Sequence, residues 1–479
     1  MPGLHDKSEE IALLKSAADA ATTFLGGLNE RPAASPVLDL PPNPFGDQAP
    51  AVGIGAAEAL SHVVTEFFPH MSGSAGPRFL GFVTGGATPA AVAGDWLAAA
   101  ADQNVASPGD SIAVAVSVQA MAWLKDLFGL PADTFDGAFT TGATGANFAC
   151  LLAAREWAGE RVGYDIAQKG LRGGPEIRIF SACPHASFIK TVRFTGLGED
   201  AIIPVARIGT TEQMDADALN AALSGVGSDV QKIVCASIGT VTGNAFDEIG
   251  TIADICRQHG AWLHVDAAFG LFARTVPELA ALCDGIEQAD SITVDGHKWL
   301  NVPYDCGFYF TKRIDLVERA AGGLPAYLDV ESGGLPQYIN RSLEGSQRFR
   351  ALPTWMTLAA YGKEGVRSIV RANVAQAALL AGWIDAAPEF ELLCPTALNV
   401  VCFRGLPPED GSVAADEWNR KLLQAINATG EVFMTPGAYG GKMGIRAAFS
   451  NWRTGERDLD RVTKAMQTAG DILRQGAMP

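Results

Sequence analysis

None of the eight cysteines in this 479-residue chain forms a C-x-x-C pair. Cys150, Cys183, Cys235, Cys256, Cys283, Cys306, Cys394 and Cys402 are scattered, mostly inside apolar runs, where cysteine acts as a small hydrophobe. That excludes a zinc ribbon and a disulfide framework, and predicts reduced thiols, no metal site and a cytoplasmic protein. Long apolar runs are also missing: each is broken within about a dozen residues, short of the about 20 that a membrane span needs. Residues 1–20 are mixed polar and charged, so no secretory leader is expected there. Positive charge is scarce, with 36 Lys and Arg against 53 Asp and Glu, net −17. A surface so acidic repels phosphate backbones and anionic lipid, which excludes nucleic acid and membrane as expected partners. One buried basic group can still bind an anion. Disordered and fibrous classes are excluded by 48% hydrophobic and 19% charged residues, and by glycine and proline without a period.

What is present is an alternation. At roughly 100–200 residues per domain the length suggests about two to four domains. Residues 8–27 carry apolar side chains at helical spacing, and a second short helix is expected at 55–68 beyond a proline-rich loop. Two short helices bury little, so residues 1–75 are expected to form a helical arm. Across 76–375, β-rich runs at 137–140, 177–181, 201–205, 232–237, 261–265, 291–294 and 306–311 alternate with helical stretches. That pattern predicts an α/β domain with a mainly parallel sheet sandwiched by helices. Residues 376–479 predict a small C-terminal α+β domain, including strands at 431–435 and 443–449.

Three loops carry the chemistry, each at the expected C-terminal end of a strand, where a doubly wound sheet places its ligand. Thr140–Asn147 (TTGATGAN) precedes a helix; its small residues let backbone approach a ligand, and the helix start offers free N–H groups, a seat for phosphate. It lacks the Gly-Lys-Ser/Thr of a Walker loop and is not G-x-G-x-x-G. His264–Gly270 (HVDAAFG) ends an apolar run with Asp266, which is costly to bury without a cation or a donor. Ser291–Leu300 (SITVDGHKWL) ends another with Lys298, and a partly buried lysine can become a nucleophile able to form a Schiff base. An acid on one strand, an amine 32 positions later and a phosphate seat are the parts that pyridoxal phosphate asks for.

From about Pro77 to Arg453 the sequence resembles the group II pyridoxal-phosphate-dependent amino-acid decarboxylases, the aromatic-amino-acid and glutamate decarboxylase group of fold-type I enzymes. Asp295-Gly296-His297-Lys298-Trp299 resembles the family's lysine signature, His264–Ala268 its pyridine-nitrogen motif, and Ser181–Ser187 (SACPHAS) the segment whose histidine stacks on the cofactor. The resemblance implies Lys298 as the Schiff-base lysine, Asp266 at the ring nitrogen, His185 on one ring face and Ala268 on the other. It implies Ala143 and Thr144 at the phosphate with Asn147 near it, His297 at phosphate or substrate, and Thr240 as a further contact, Val241 standing where the family has a second threonine. Gly322–Leu352 reads as a glycine-rich mobile loop, which in the family closes over the neighbouring subunit's site. Tyr338, ten residues before Arg348, matches the tyrosine that reprotonates the carbanion, and argues for decarboxylation over the aldehyde-synthase outcome, where phenylalanine stands.

Substrate class stays open at this level. Phe79, Leu80 and Phe82 either line the substrate pocket and suit an aromatic side chain, or are plain core. Arg446, in an apolar strand, needs an anion: a substrate carboxylate or an internal salt bridge. Arg78 offers the same choice. The expected function is decarboxylation of an L-amino acid, aromatic by preference, in a homodimer with a shared site. The alternatives are an aldehyde synthase, an aminotransferase, a decarboxylase of acidic amino acids or, from another class, an NAD-dependent oxidoreductase. For that last the nearest glycine pattern, Gly53-Ile54-Gly55, lacks its third glycine.

Overall fold

The computed structural model describes residues 9–36, 39, 48–322, 333–408 and 413–475. Two arm helices come first, α1 (Glu10–Gly26) and α2 (Ala56–His62), and neither contains a buried residue. The large unit runs through α3 (Pro89–Ala101), α4 (Ala113–Leu127), β1 (Asp136–Thr140), α5 (Ala143–Glu160), α6 (Ile166–Lys169), β2 (Ile177–Ser181), α7 (Ala186–Phe194), β3 (Ile202–Pro204) and α8 (Ala216–Ser224). It continues with β4 (Gln231–Ser237), α9 (Ile249–His259), β5 (Trp262–Asp266), β6 (Ser291–Asp295), α10 (Gly296–Trp299), β7 (Gly307–Thr311) and α11 (Ile314–Ala321). The long α12 (Ala351–Ala386) leads into β8 (Phe390–Leu392), β9 (Val400–Gly405), α13 (Ala415–Ala428), β10 (Thr435–Tyr439), β11 (Lys442–Ala448) and α14 (Glu456–Arg474).

All seven strands expected in the large unit form one sheet, in the order β1-β7-β6-β5-β4-β2-β3. Only β7 runs antiparallel to its neighbours. Strands β4 to β7 are buried along their whole length, which is why they read as continuous apolar runs rather than alternating ones. The small unit is a four-stranded antiparallel sheet, β10-β11-β9-β8, backed by α13 and the end of α12, with α14 packed against both helices.

Three expectations about organisation differ from the structure. The boundary placed at 375 falls inside α12, whose Val366 and Val370 join the large core while Leu380 and Ile384 join the small one. Residues 78–80, assigned to the large domain, extend the small sheet: Phe433 N donates to Arg78 O at 3.1 Å, Leu80 N to Phe433 O at 2.8 Å and Ala448 N to Leu80 O at 2.9 Å. The strand expected at 431–435 lies further on, as β10, because Gly440 and Gly441, both at positive φ, turn its hairpin into β11. Of the expected mobile loop at 322–352, residues 323–332 lie outside the described residues.

Candidate active site

A cavity of about 680 Å³ opens at the C-terminal ends of β1, β2, β4, β5 and β6. Lys298, Asp266, His185, Ala143, Thr144, Thr240, Ala268 and His297 all line it. The parallel sheet brings them together: they stand at the ends of five strands, β1, β2, β4, β5 and β6, which all end on the same side.

Lys298 sits in α10, one short turn held from both sides. Trp299, fully buried, donates from Nε1 to Asn373 Oδ1 on α12 at 2.9 Å. Asn301 Nδ2 donates to Trp299 O and to Ser450 O, each at 2.9 Å, tying the turn to the small unit. The segment before α3 lies so close to this turn that a Cβ on Gly85 would stand 1.7 Å from Lys298 O, so only glycine fits there. The lysine Nζ lies 2.9 Å from Asp295 Oδ2. Asp295, 3% exposed, accepts at Oδ1 from Ala143 N, the first amide of α5, at 2.5 Å, and stands 3.4 Å from His297 Nε2.

Asp266 ends β5. Asn147 Nδ2 lies 3.4 Å from its Oδ2, and Ala268 N donates to Oδ1 at 3.3 Å. Both partners are neutral donors, and a carboxylate this buried calls for a cation in front of it. His185 caps α7: Ser187 N donates to its Nδ1 at 3.2 Å, and Ser187 Oγ lies 2.7 Å away. The ring is reached from the cavity, but the surrounding protein strips much of its water, and this desolvation holds the imidazole below its ordinary range. His297 is held low by burial as well, against the pull of Asp295.

This donor set fits pyridoxal phosphate. A buried acid with only neutral partners suits a pyridinium nitrogen, an amine stands within the same cavity, and a helix start with Thr144 on the wall suits a phosphate.

Other expected site residues are not on the cavity wall. Asn147 is fully buried behind Asp266 and contacts that carboxylate, because it lies inside α5 rather than at its start. Tyr338 is buried at 3% exposure in a separate small pocket with Phe139 and Gln347, and Arg341 lies 5.9 Å from its ring. Phe79 stacks on Phe433 at 4.7 Å and Leu80 is in the small core, because both belong to the small sheet. Phe82 is 59% exposed and outside the cavity. Arg446 is buried; its Nη1 donates to Val241 O at 2.9 Å and Nη2 to Thr435 Oγ1 at 3.1 Å, and no carboxylate pairs with it among the described residues. Arg78 is spent on Asp458 at 3.1 Å.

Three wall residues went unnoticed in the sequence. Asp295 was visible, inside the lysine motif at a spacing of three. Tyr304, whose ring centre lies 4.4 Å from that of His297, and whose hydroxyl lies 3.2 Å from Thr84 Oγ1, had no signal beyond its nearness to Lys298. Glu212 accepts from Thr240 Oγ1 and, at 2.8 Å, from Gly243 N; it comes from a loop that no motif marks.

Residues 57–405 match the model of the pyridoxal-dependent decarboxylase conserved domain. An aromatic-L-amino-acid decarboxylase of Catharanthus roseus is 30% identical over 88% of this chain and 85% of its own length. A phenylacetaldehyde synthase of Arabidopsis thaliana is 26% identical over 89% and 88%. The crystal structure of Oryza sativa TDC with PLP and tryptamine superposes with a TM-score of 0.90 over 99% of this chain and 100% of that one, at 24% identity. The chain belongs to the pyridoxal-dependent decarboxylase family and is a pyridoxal-phosphate carboxy-lyase of fold-type I.

Proposed function

We propose that this enzyme removes CO₂ from an aromatic L-amino acid through a Schiff base at Lys298, acting as a cytoplasmic homodimer. The observation that carries the reading is the meeting of Lys298, Asp266 and His185, from three strand ends, in one cavity. Bound there, pyridoxal phosphate supplies an aldehyde for an amine to condense with and a pyridinium ring that draws electrons from the substrate's Cα. Lys298 provides the amine. Asp266 holds a negative charge where the ring nitrogen must stay protonated. His185 would lie against one ring face and the small Ala268 against the other. Ala143, whose own amide is taken by Asp295, would with Thr144 and His297 hold the phosphate, and Thr240 is a wall contact whose hydroxyl is already engaged by Glu212. Neutral His185 carries its proton on Nε2, because Nδ1 accepts from Ser187 N; it is therefore a protic side chain at hand to return a proton to Cα.

An aromatic rather than acidic substrate is supported by Phe269 and Tyr304 on the wall, while Arg78 is paired with Asp458 away from it. The homodimer is supported by the arm: α1 and α2 bury nothing in the single chain, and Ile11 and Leu14 are 64% and 56% exposed. Among the described residues no helix is long and apolar enough to cross a membrane, and all eight cysteines are free thiols.

A second reading, oxygen-dependent conversion to an aldehyde, is favoured by one observation: a phenylacetaldehyde synthase is among the relatives that match most of the chain. One experiment separates these readings. Borohydride reduction of the loaded enzyme is expected to fix the cofactor's mass on the Lys298 peptide, and Lys298→Ala to lose turnover by on the order of 10³-fold or more. A panel of amino acids is then assayed for products. Amine plus CO₂ from aromatic substrates supports the proposal; aldehyde, ammonia and peroxide support the second reading; label on another lysine overturns both.

A further inference from the structure

We infer that Trp262, Ser291, His264 and Asn147 form a one-way hydrogen-bond relay that holds Asp266 as an oriented anion, so that His264 is a positioning residue for the cofactor's ring nitrogen. The inference rests on the reading of Asp266 given above.

Strand alternation starts the relay. Trp262, His264 and Asp266 are every second residue of β5 and so share one face. Ser291 is the registered neighbour of His264 on β6. Asn147 reaches the same face from α5. Trp262 Nε1 lies 3.0 Å from Ser291 Oγ, Ser291 Oγ 2.9 Å from His264 Nδ1, His264 Nε2 2.8 Å from Asn147 Oδ1, and Asn147 Nδ2 3.4 Å from Asp266 Oδ2. Asn147, His264 and Ser291 are fully buried and Trp262 is 1% exposed.

The two ends set the direction. An indole N–H can only donate and a carboxylate can only accept; the hydroxyl, imidazole and amide between them can do either. Asp266 therefore demands the NH₂ of Asn147, which turns Oδ1 toward His264. Oδ1 demands a proton on Nε2, so in the neutral ring Nδ1 is an acceptor. Nδ1 takes the Ser291 hydroxyl proton, and the Ser291 oxygen takes the Trp262 N–H. Reversing any link would set two acceptors or two donors against each other in a dry interior, where an unmet polar group keeps its full desolvation penalty.

The surroundings keep the ring neutral. Phe188 stacks on His264, with ring centres 5.6 Å apart and planes within 16°. The nearby Cys150 thiol bonds to Thr293 and Ser291 and is pushed up to about 12 by burial, so it brings no charge. Asp266 is the one charged group acting on His264, and its pull toward protonation is outweighed by burial. A neutral relay ending in an N–H steadies the Asp266 anion without placing a competing cation where the ring nitrogen must dock. The opposite polarity would present an acceptor to Asp266, favour its protonation and leave the ring nitrogen without its anion.

The test uses protein labelled with [¹⁵N]histidine, examined by long-range ¹H–¹⁵N correlation with and without cofactor, the His264 signals being assigned by their loss in His264→Phe. The neutral Nε2–H pattern is expected in both forms at pH about 7 and at pH about 5.5. An Nδ1–H pattern, or an imidazolium at either pH, overturns the relay. Pyridoxal-phosphate affinity is then measured for His264→Phe, Asp266→Asn and the double variant. His264→Phe is expected to weaken binding about ten-fold in the wild-type background and not at all in Asp266→Asn; equal losses in both backgrounds overturn it. Ser291→Ala, a smaller change expected to weaken binding in the same direction, serves if His264→Phe does not fold, and unchanged affinity there counts against the relay. Unchanged affinity in Asp266→Asn overturns the Asp266 reading, while the tautomer result still judges the relay's polarity.

Discussion

Lys298 Nζ stands 2.9 Å from Asp295 Oδ2, and the other oxygen of the same carboxylate accepts the first amide of α5. One buried acid thus joins the reactive amine to the helix start proposed as the phosphate seat. The amine has an anion before any cofactor arrives, and the end of β6 is pinned to the start of α5.

Asp295→Asn removes that charge while keeping the shape. The Lys298 ammonium then lacks its anion in the cofactor-free protein, at a cost of roughly 1–3 kcal/mol. The loaded protein, in which Lys298 is no longer an ammonium in the proposed reading, should lose less. Urea unfolding of both forms checks this, and an equal loss in the two would show that the pair is not the cause.

Arg78 is 3% exposed and paired with Asp458, while its Nε donates to Glu431 O at 2.7 Å. Arg78→Ala removes a buried guanidinium from Asp458, which is 16% exposed and still accepts from Gly455 N, and is expected to destabilise the protein by about 1–3 kcal/mol. The ratio of kcat/KM for aromatic over acidic amino acids should not move. A variant that stays stable but gains or loses acidic substrates would return Arg78 to the substrate's neighbourhood.

His264 supplies a pH dependence whose sign can be worked out. Burial depresses it from 6.5 to about 4, with Asp266 opposing. On lowering the pH the unfolded chain takes up this proton near 6.5, whereas the native protein refuses it until about 4, so stability from this site is lost through that window. The full effect is about 3 kcal/mol. The stability difference between wild type and His264→Phe should shrink as the pH falls from about 7 to about 4.5. A difference that does not change with pH would mean that His264 titrates normally.

Much of the site was legible because it rests on strand periodicity. Lys298, Asp266 and His185 each follow a buried run, and the alternation of runs with helices predicts parallel strands whose ends converge. Asn147 was misplaced because its distance from the helix start, and hence its partner, depends on how α5 packs on β5. Phe79 and Leu80 read equally as pocket wall or as core because an alternating apolar run carries no mark of the sheet it will join; theirs is set by pairing with Phe433 and Ala448, far along the chain. Tyr338 was found by its offset from Arg348, which says nothing of which way a loop folds.

The sequence by itself determined the order of strands and helices, the three loaded loops and the chemistry they can share, since these follow from local periodicity and from which side chains can donate, accept or attack. Tertiary structure alone decided the distant partners: Asn147 for Asp266 and His264, Asn373 for Trp299, Asp458 for Arg78. The physical reason is that a buried polar group must be satisfied by whatever the fold brings within about 3 Å, and that neighbour lies up to several hundred residues away.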